Sequence, residues 1–334
     1  MKNKIKVVIN GFGRIGRTTF RVLLNHPELE LVAINDPGDN KTLAHLLQYD
    51  TVFGEFSSKV NVSKNGIKVL NKEYPIFHER DPLKLPWKRL NVDVVLECTG
   101  VFTDYNGGIL HIKAGARKVI ISAPSKDKKV PIYLLGINEN KYKGEEVINM
   151  GSCTTNCISP VMKVMNKKFG VLKSIMSTVH SYTNDQNIVD NKHRDLRRAR
   201  AAAQNIIPTT TGAALATAQA MPELNNLFDG MAIRVPTING SLSDITLVTK
   251  KNVTESKVNE AFKEATKFRE LKGILSVSNK PLVSSDYIGN PYSCIIDLAL
   301  TKVVDKNLVK IIAWYDNEWG YSNRLVEMVQ VVHK

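Results

Sequence analysis

Ile5-Lys6-Val7-Val8-Ile9-Asn10-Gly11-Phe12-Gly13-Arg14-Ile15-Gly16 couples a short apolar run to a G-x-G-x-x-G triplet that opens an amphipathic stretch. The apolar run predicts a buried strand over Ile5–Asn10, and Arg14–Leu24 reads as the helix that follows. Glycines at these three positions allow a tight turn and close approach of backbone to a pyrophosphate, while the helix N-terminus offers free N–H groups to the phosphates. A bare structural turn also needs glycines, so the acidic residue downstream decides. Asp36 closes a second strand, Leu29–Asn35, 20 residues after Gly16, where a carboxylate can accept hydrogen bonds from ribose hydroxyls. That carboxylate would repel a 2′-phosphate, so NAD is expected rather than NADP.

Working outward, a helix is expected over Lys41–Gln48, strands over Val92–Glu97 and Lys118–Ser122, and a helical stretch around Tyr105–Ala114. Strand–helix alternation of this kind predicts an α/β domain with a parallel sheet covered by helices. Beyond Cys153 the texture changes. Longer, more alternating strands are expected over Leu172–His180, Gly230–Val235, Asp244–Thr249, Ser293–Leu300 and Lys310–Tyr315. Helices remain at Thr154–Lys168, Ala213–Met221 and Glu255–Thr266, which predicts an α+β domain with a mixed or antiparallel sheet. Asn317–Val332 is apolar at helical spacing. The expected division is 1–152 completed by 317–334, and 153–316.

The chain has 334 residues, 43% hydrophobic and 23% charged, which excludes disorder over most of its length. Its formal charge of +14 suits anionic ligands and leaves nucleic-acid or surface binding as a secondary role, although no nucleic-acid module is recognisable. Four cysteines (Cys98, Cys153, Cys157, Cys294) are too few for a disulfide scaffold. No signal-peptide core and no 18-residue apolar run is present, so a cytoplasmic protein without a membrane span is expected.

Ser152-Cys153-Thr154-Thr155-Asn156-Cys157 precedes an amphipathic helix. Cys153 falls in the first turn, where the helix dipole favours a thiolate, and Cys157 lies one turn further in. Two small buried residues would produce the same string, and a zinc pair lacks its second Cys/His couple, so no metal is expected. His180 ends a strand and opens a polar loop. Spacing alone does not join it to Cys153.

Taken together, Ile9–Arg17, Ser152–Cys157, His180–Gln186, Thr209–Ala214, Arg234-Val235-Pro236-Thr237 and Trp314-Tyr315-Asp316-Asn317-Glu318-Trp319-Gly320-Tyr321 closely resemble phosphorylating glyceraldehyde-3-phosphate dehydrogenases, in order along nearly the whole chain. The resemblance implies a Rossmann-type NAD-binding domain and a catalytic domain. It further implies NAD-dependent oxidation of glyceraldehyde 3-phosphate, with inorganic phosphate, to 1,3-bisphosphoglycerate. Cys153 would form a thiohemiacetal and then a thioester, with His180 as its base. Thr183 and Arg234 would bind the substrate phosphate; Ser152, Thr154, Arg197, Thr211 and Gly212 would hold the inorganic phosphate. Gly11, Gly13, Arg14, Ile15, Gly16, Asp36, Arg80, Ser122 and Asn317 would bind the cofactor. A cytoplasmic homotetramer acting in glycolysis or gluconeogenesis is implied as well.

Three places depart from the commonest family pattern: Leu215 where lysine is common, Ile238-Asn239-Gly240-Ser241 for Pro-Asn-Val-Ser, and Asn149-Met150-Gly151 for Ser-Asn-Ala. The nearest rival is the sister erythrose-4-phosphate dehydrogenase group, which tends to alter the Tyr182–Gln186 and Thr211–Ala214 segments that are complete here.

Overall fold

In the computed structural model, which describes residues 4–125 and 127–334, the first strand, β1 (Ile5–Asn10), has its last four residues buried. Residues 1–3 and 126 of the expected first domain lie outside the described residues. The chain turns through the glycine triplet into α1 (Arg14–Leu23), then β2 (Leu29–Asn35) and α2 (Asn40–Gln48), whose N-cap Asp39 accepts the Thr42 N–H. A short ribbon, β3 (Tyr49–Asp50) and β4 (Gly54–Glu55), leads to three strands the sequence did not announce: β5 (Asn61–Ser63), β6 (Gly66–Val69) and β7 (Lys72–Phe77). Then come α3 (Trp87–Leu90), β8 (Val94–Glu97), α4 (Tyr105–Lys113), β9 (Lys118–Ile121) and β10 (Val147–Asn149). The sheet order is β10-β9-β8-β1-β2-β7-β6-β5. Pairing is parallel from β10 to β7 and antiparallel from β7 to β5, so the expected parallel sheet carries an antiparallel edge. The middles of the central strands, Val7–Ile9 in β1 and Val94–Leu96 in β8, are fully buried apolar runs, the pattern of a parallel sheet packed on both faces.

The second sheet follows α5 (Cys153–Phe169) and runs β12 (Ile207–Thr210), β13 (Phe228–Val235), β11 (Val171–Ser181), β14 (Ser241–Thr249), β18 (Leu308–Tyr315), β16 (Cys294–Asp297) and β15 (Leu275–Ser278), with β17 (Lys302–Val304) on β18. It is mixed: β11 pairs parallel with β13 and antiparallel with β14. Strand β14 alternates buried and half-buried residues, the period-2 signature of a sheet packed on one face. That face meets α5, α6 (Ala213–Ala220) and α7 (Glu255–Ala265) in one core containing Val161, Met165, Phe262, Ile245 and Ile311. The last helix, α8, spans Trp319–Val332.

Two compact units result: 1–133 with 140–151 and 322–334, and 134–139 with 152–321. The division differs from the expected boundary in three places. Residues 134–139 join the second unit, where Lys163 Nζ donates to the Gly136 carbonyl. Asn317–Tyr321 also join it, because the Asp316 carboxylate accepts the Glu318 and Trp319 N–H groups and anchors that turn, and Ser152 joins it as the N-cap of α5.

Candidate active site

Within the first unit, each glycine of the triplet has a distinct job. Gly11 has φ +93°, and a Cβ there would sit 2.7 Å from the Thr99 nitrogen. A Cβ on Gly16 would fall 2.0 Å from the Gly11 carbonyl oxygen, so α1 can approach β1 only without a side chain. Gly13 is the N-cap of α1, has no side-chain cap, and a Cβ on it would meet nothing within 4 Å. Tight turn, close packing and an open helix mouth together fit a pyrophosphate. The Arg14 guanidinium pairs with Asp50 at 2.5 and 3.2 Å. Asp36 is oriented by the Phe12 N–H (2.7 Å) and the Gly38 N–H (2.8 Å), one on each carboxylate oxygen. Arg80 is exposed, and Ser122 follows β9 with its N–H on the Glu97 carbonyl.

In the second unit, Ser152 caps α5 reciprocally with Thr155: the Ser152 side chain accepts the Thr155 N–H, and the Thr155 hydroxyl accepts the Ser152 N–H. That box fixes Cys153 as the first helical residue. His180 reaches it from β11, with 3.3 Å between Sγ and Nε2. The parallel register of β11 with β13 sets His180 opposite Arg234. His180 Nδ1 lies 2.6 Å from the Ser181 carbonyl oxygen and 2.9 Å from Arg234 Nη1; with Nδ1 donating to the carbonyl, the Nε2 lone pair faces the sulfur. Arg234 Nη1 donates to the same carbonyl at 3.0 Å.

The surroundings shift both members of this pair. Burial pushes the Cys153 thiol up to about 11, against the pull of the Arg234 charge and the Thr154 hydrogen bonds. Burial first, and Arg234 second, bring His180 down to about 3. The surroundings ionise neither group singly. Transfer of the thiol proton to Nε2 across the 3.3 Å contact would leave the pair neutral overall. Cys157 is completely buried in the core and pushed well above its ordinary value, so it is a packing residue.

The remaining expected residues divide by what their side chains already do. The Arg234 Nε is buried with no hydrogen-bond partner among the described residues, a cationic donor suited to an anion. Thr183 lies in the turn after β11. Arg198 and Arg200 are paired with Asp185, Asp195 and Asp190, pinning their loop, while the Arg197 side chain is exposed. Thr211 and Gly212 lead into α6, with Gly212 exposed at its N-cap and lacking a side-chain cap. Ser152 is half-buried. The Thr154 hydroxyl is buried against the Tyr315 hydroxyl at 2.9 Å. Tyr315 also meets the Thr178 hydroxyl at 2.9 Å and sets its ring edge-on to His180, 6.0 Å between centroids. It therefore braces α5 to β11, a role that sequence reasoning missed. Asn317 Oδ1 accepts Ser241 Oγ–H (2.8 Å) and the Gly240 N–H (3.2 Å), which aims its amide N–H₂ elsewhere. No group of three His, Cys, Asp or Glu side chains among the described residues is placed to hold a metal.

Residues 5–105 match the family profile described as "Glyceraldehyde 3-phosphate dehydrogenase, NAD binding domain", and residues 152–317 match "Glyceraldehyde 3-phosphate dehydrogenase, C-terminal domain". The chain belongs to the glyceraldehyde-3-phosphate dehydrogenase family.

Relatives of this glyceraldehyde-3-phosphate dehydrogenase family member include "Glyceraldehyde-3-phosphate dehydrogenase 2" of Streptomyces avermitilis, 51% identical over 98% of both chains. The "Glyceraldehyde-3-phosphate dehydrogenase" of Geobacillus stearothermophilus is also 51% identical over 98% of both. So is "Glyceraldehyde-3-phosphate dehydrogenase 1" of Bacillus subtilis, over 99% of this chain and 98% of that one. The departures from the common family pattern find structural places. Leu215 is 66% exposed on α6. Gly240 has φ +87°, and a Cβ would sit 2.5 Å from the Ser284 carbonyl oxygen, so this version of the loop requires glycine. Met150 is fully buried, with its N–H on the Ile121 carbonyl.

Proposed function

We propose that the chain oxidises glyceraldehyde 3-phosphate with NAD and inorganic phosphate, releasing 1,3-bisphosphoglycerate, with Cys153 as nucleophile and His180 as base. The observation that carries this reading is the 3.3 Å contact of Cys153 Sγ with His180 Nε2 beside the Arg234 guanidinium. Cys153 attacks the aldehyde carbon as its proton moves to Nε2, and the imidazolium then gives that proton to the new oxyanion. Bound NAD supplies the hydride acceptor. As the C–H bond breaks, His180 Nε2 takes the hydroxyl proton and the carbon becomes a thioester on Cys153. Phosphate attacks that carbon, the C–S bond breaks, and the proton on Nε2 returns to the sulfur. Arg234 and Thr183 bind the substrate phosphate. Ser152, Thr154 through its backbone, Arg197, Thr211 and Gly212 hold the attacking phosphate.

Gly11, Gly13, Gly16, Arg14 and Ile15 receive the pyrophosphate, Asp36 the adenine ribose, and Arg80, Ser122 and Asn317 the rest of the cofactor. Asn317 is suited to the carboxamide because its oxygen is already engaged and its N–H₂ group remains as donor. The protein acts in glycolysis or gluconeogenesis, in the cytoplasm, as a homotetramer. Four free cysteines support a reducing compartment, and Ile188, Val189, Leu196 and Ile206, 69–87% exposed, support a subunit contact over that loop.

The test is steady-state NADH formation from glyceraldehyde 3-phosphate with and without phosphate. We expect the rate to collapse by at least about 100-fold without phosphate, because the thioester then has only water to discharge it. A phosphate-independent rate, or a preference for erythrose 4-phosphate, would favour the sister activity instead.

A further inference from the structure

The carboxyl ends of β8, β1 and β2 stand side by side, with Asn10 in register with both Glu97 and Asn35. Glu97 and His111 are 1% and 0% exposed. The Trp87 indole N–H donates to His111 Nδ1 at 3.0 Å, so the ring proton sits on Nε2 and the imidazole is neutral. That N–H donates to Glu97 Oε2 at 3.1 Å, joined there by Asn10 Nδ2 at 2.5 Å. Oε1 accepts the Thr99 N–H at 2.7 Å and the Thr99 hydroxyl. Four donors converge on its two oxygens, the full acceptor capacity of a carboxylate. Among the described residues no lysine or arginine lies within ion-pair distance of it. The chain therefore maintains a buried, uncompensated negative charge at the end of β8, held by neutral dipoles.

Its place relative to a dinucleotide follows from the strand order. Strand β1 lies between β2 and β8. With Asp36 on the adenine ribose beyond β2 and the pyrophosphate at the mouth of α1, the other nucleoside must extend toward β8. There the Thr99 backbone, tied to Glu97, packs against Gly11. The nicotinamide ring is a cation when oxidised and neutral when reduced, and a charge in a dry interior is little screened.

We infer that Glu97 sets the preference of the site for oxidised over reduced cofactor, acting through its field as a positioning and tuning residue. The inference rests on the NAD reading above. It is tested by equilibrium binding of NAD⁺ and NADH, measured by quenching of intrinsic fluorescence, in wild type, Glu97→Gln and His111→Gln. Losing the charge should lower the NAD⁺ over NADH affinity ratio by about tenfold in Glu97→Gln. In His111→Gln, which keeps the charge, both affinities should move together. Should Glu97→Gln fail to fold, Thr99→Val serves: removing a hydroxyl that offsets the carboxylate should raise the ratio. A ratio unchanged in Glu97→Gln, or in Thr99→Val when that variant is used, overturns the inference. Wild type that binds neither nucleotide would instead overturn the NAD reading itself.

Discussion

Cys153→Ser lowers kcat/KM by about 10⁴-fold, roughly 5 kcal/mol of transition-state stabilisation, because an alcohol ionises far less readily than a thiol and is a poorer leaving group from an acyl intermediate. The substitution is close to isosteric at a half-buried position whose backbone is fixed by the Ser152–Thr155 capping box, so thermal unfolding should stay within about 2 °C of wild type. Iodoacetamide labelling distinguishes a lost nucleophile from a damaged fold. Cys157 and Cys294 are fully buried, and burial with the neighbouring Glu97 charge pushes Cys98 up to about 12. Among the described residues only Cys153 has an imidazole at 3.3 Å to take its proton. Fast labelling in wild type should therefore map to the Cys153 peptide and vanish in the variant. Turnover retained by the serine enzyme would end the assignment.

His180→Asn should reduce kcat by about 10³-fold with a much smaller change in KM, since the proton acceptor is lost while Arg234 remains. The same variant carries a second signature. Burial first, and Arg234 second, hold His180 near 3 in the folded chain, against about 6.5 in an unfolded one. Between those values the unfolded chain binds a proton that the folded chain refuses. Wild-type stability is thus unaffected by this group above about pH 6.5 and falls as pH drops toward 3, by up to about 1.4 kcal/mol per unit. Asparagine removes that contribution, so the variant's stability should decline less steeply from pH 6 to pH 4. Parallel curves for the two proteins would show that the imidazole is not held neutral by its surroundings.

Much of the fold can be read from local pattern, and the misses have local causes. Ile5–Asn10 and Leu29–Asn35 stand where their apolar runs put them, because a strand buried on both faces shows itself without neighbours. Strands β5 to β7 are three to six residues long, pair antiparallel at one side of the sheet and include Pro75 within β7, so they are too short and interrupted for periodicity to mark them. The strand expected to reach Leu300 stops at Asp297, whose carboxylate accepts the Ala299 N–H and starts a 3₁₀ turn. Helix α8 begins at Trp319 rather than Asn317 because Asp316 caps the turn before it. At the site, Ser152 and Thr155 announce a helix start and so place Cys153. The meeting of Cys153 with His180 depends on where α5 lies along β11, which no spacing encodes. Tyr315 is further removed: its hydroxyl joins Thr154 and Thr178, 161 and 137 residues away, only because β18 pairs with β14.

The most direct measurement mixes the chain with glyceraldehyde 3-phosphate and NAD in phosphate-free buffer and follows it by peptide mass spectrometry. A single acyl adduct should accumulate on the peptide containing Cys153 and disappear when phosphate is added. Turnover proceeding with no adduct, or with one on any other residue, would contradict the account.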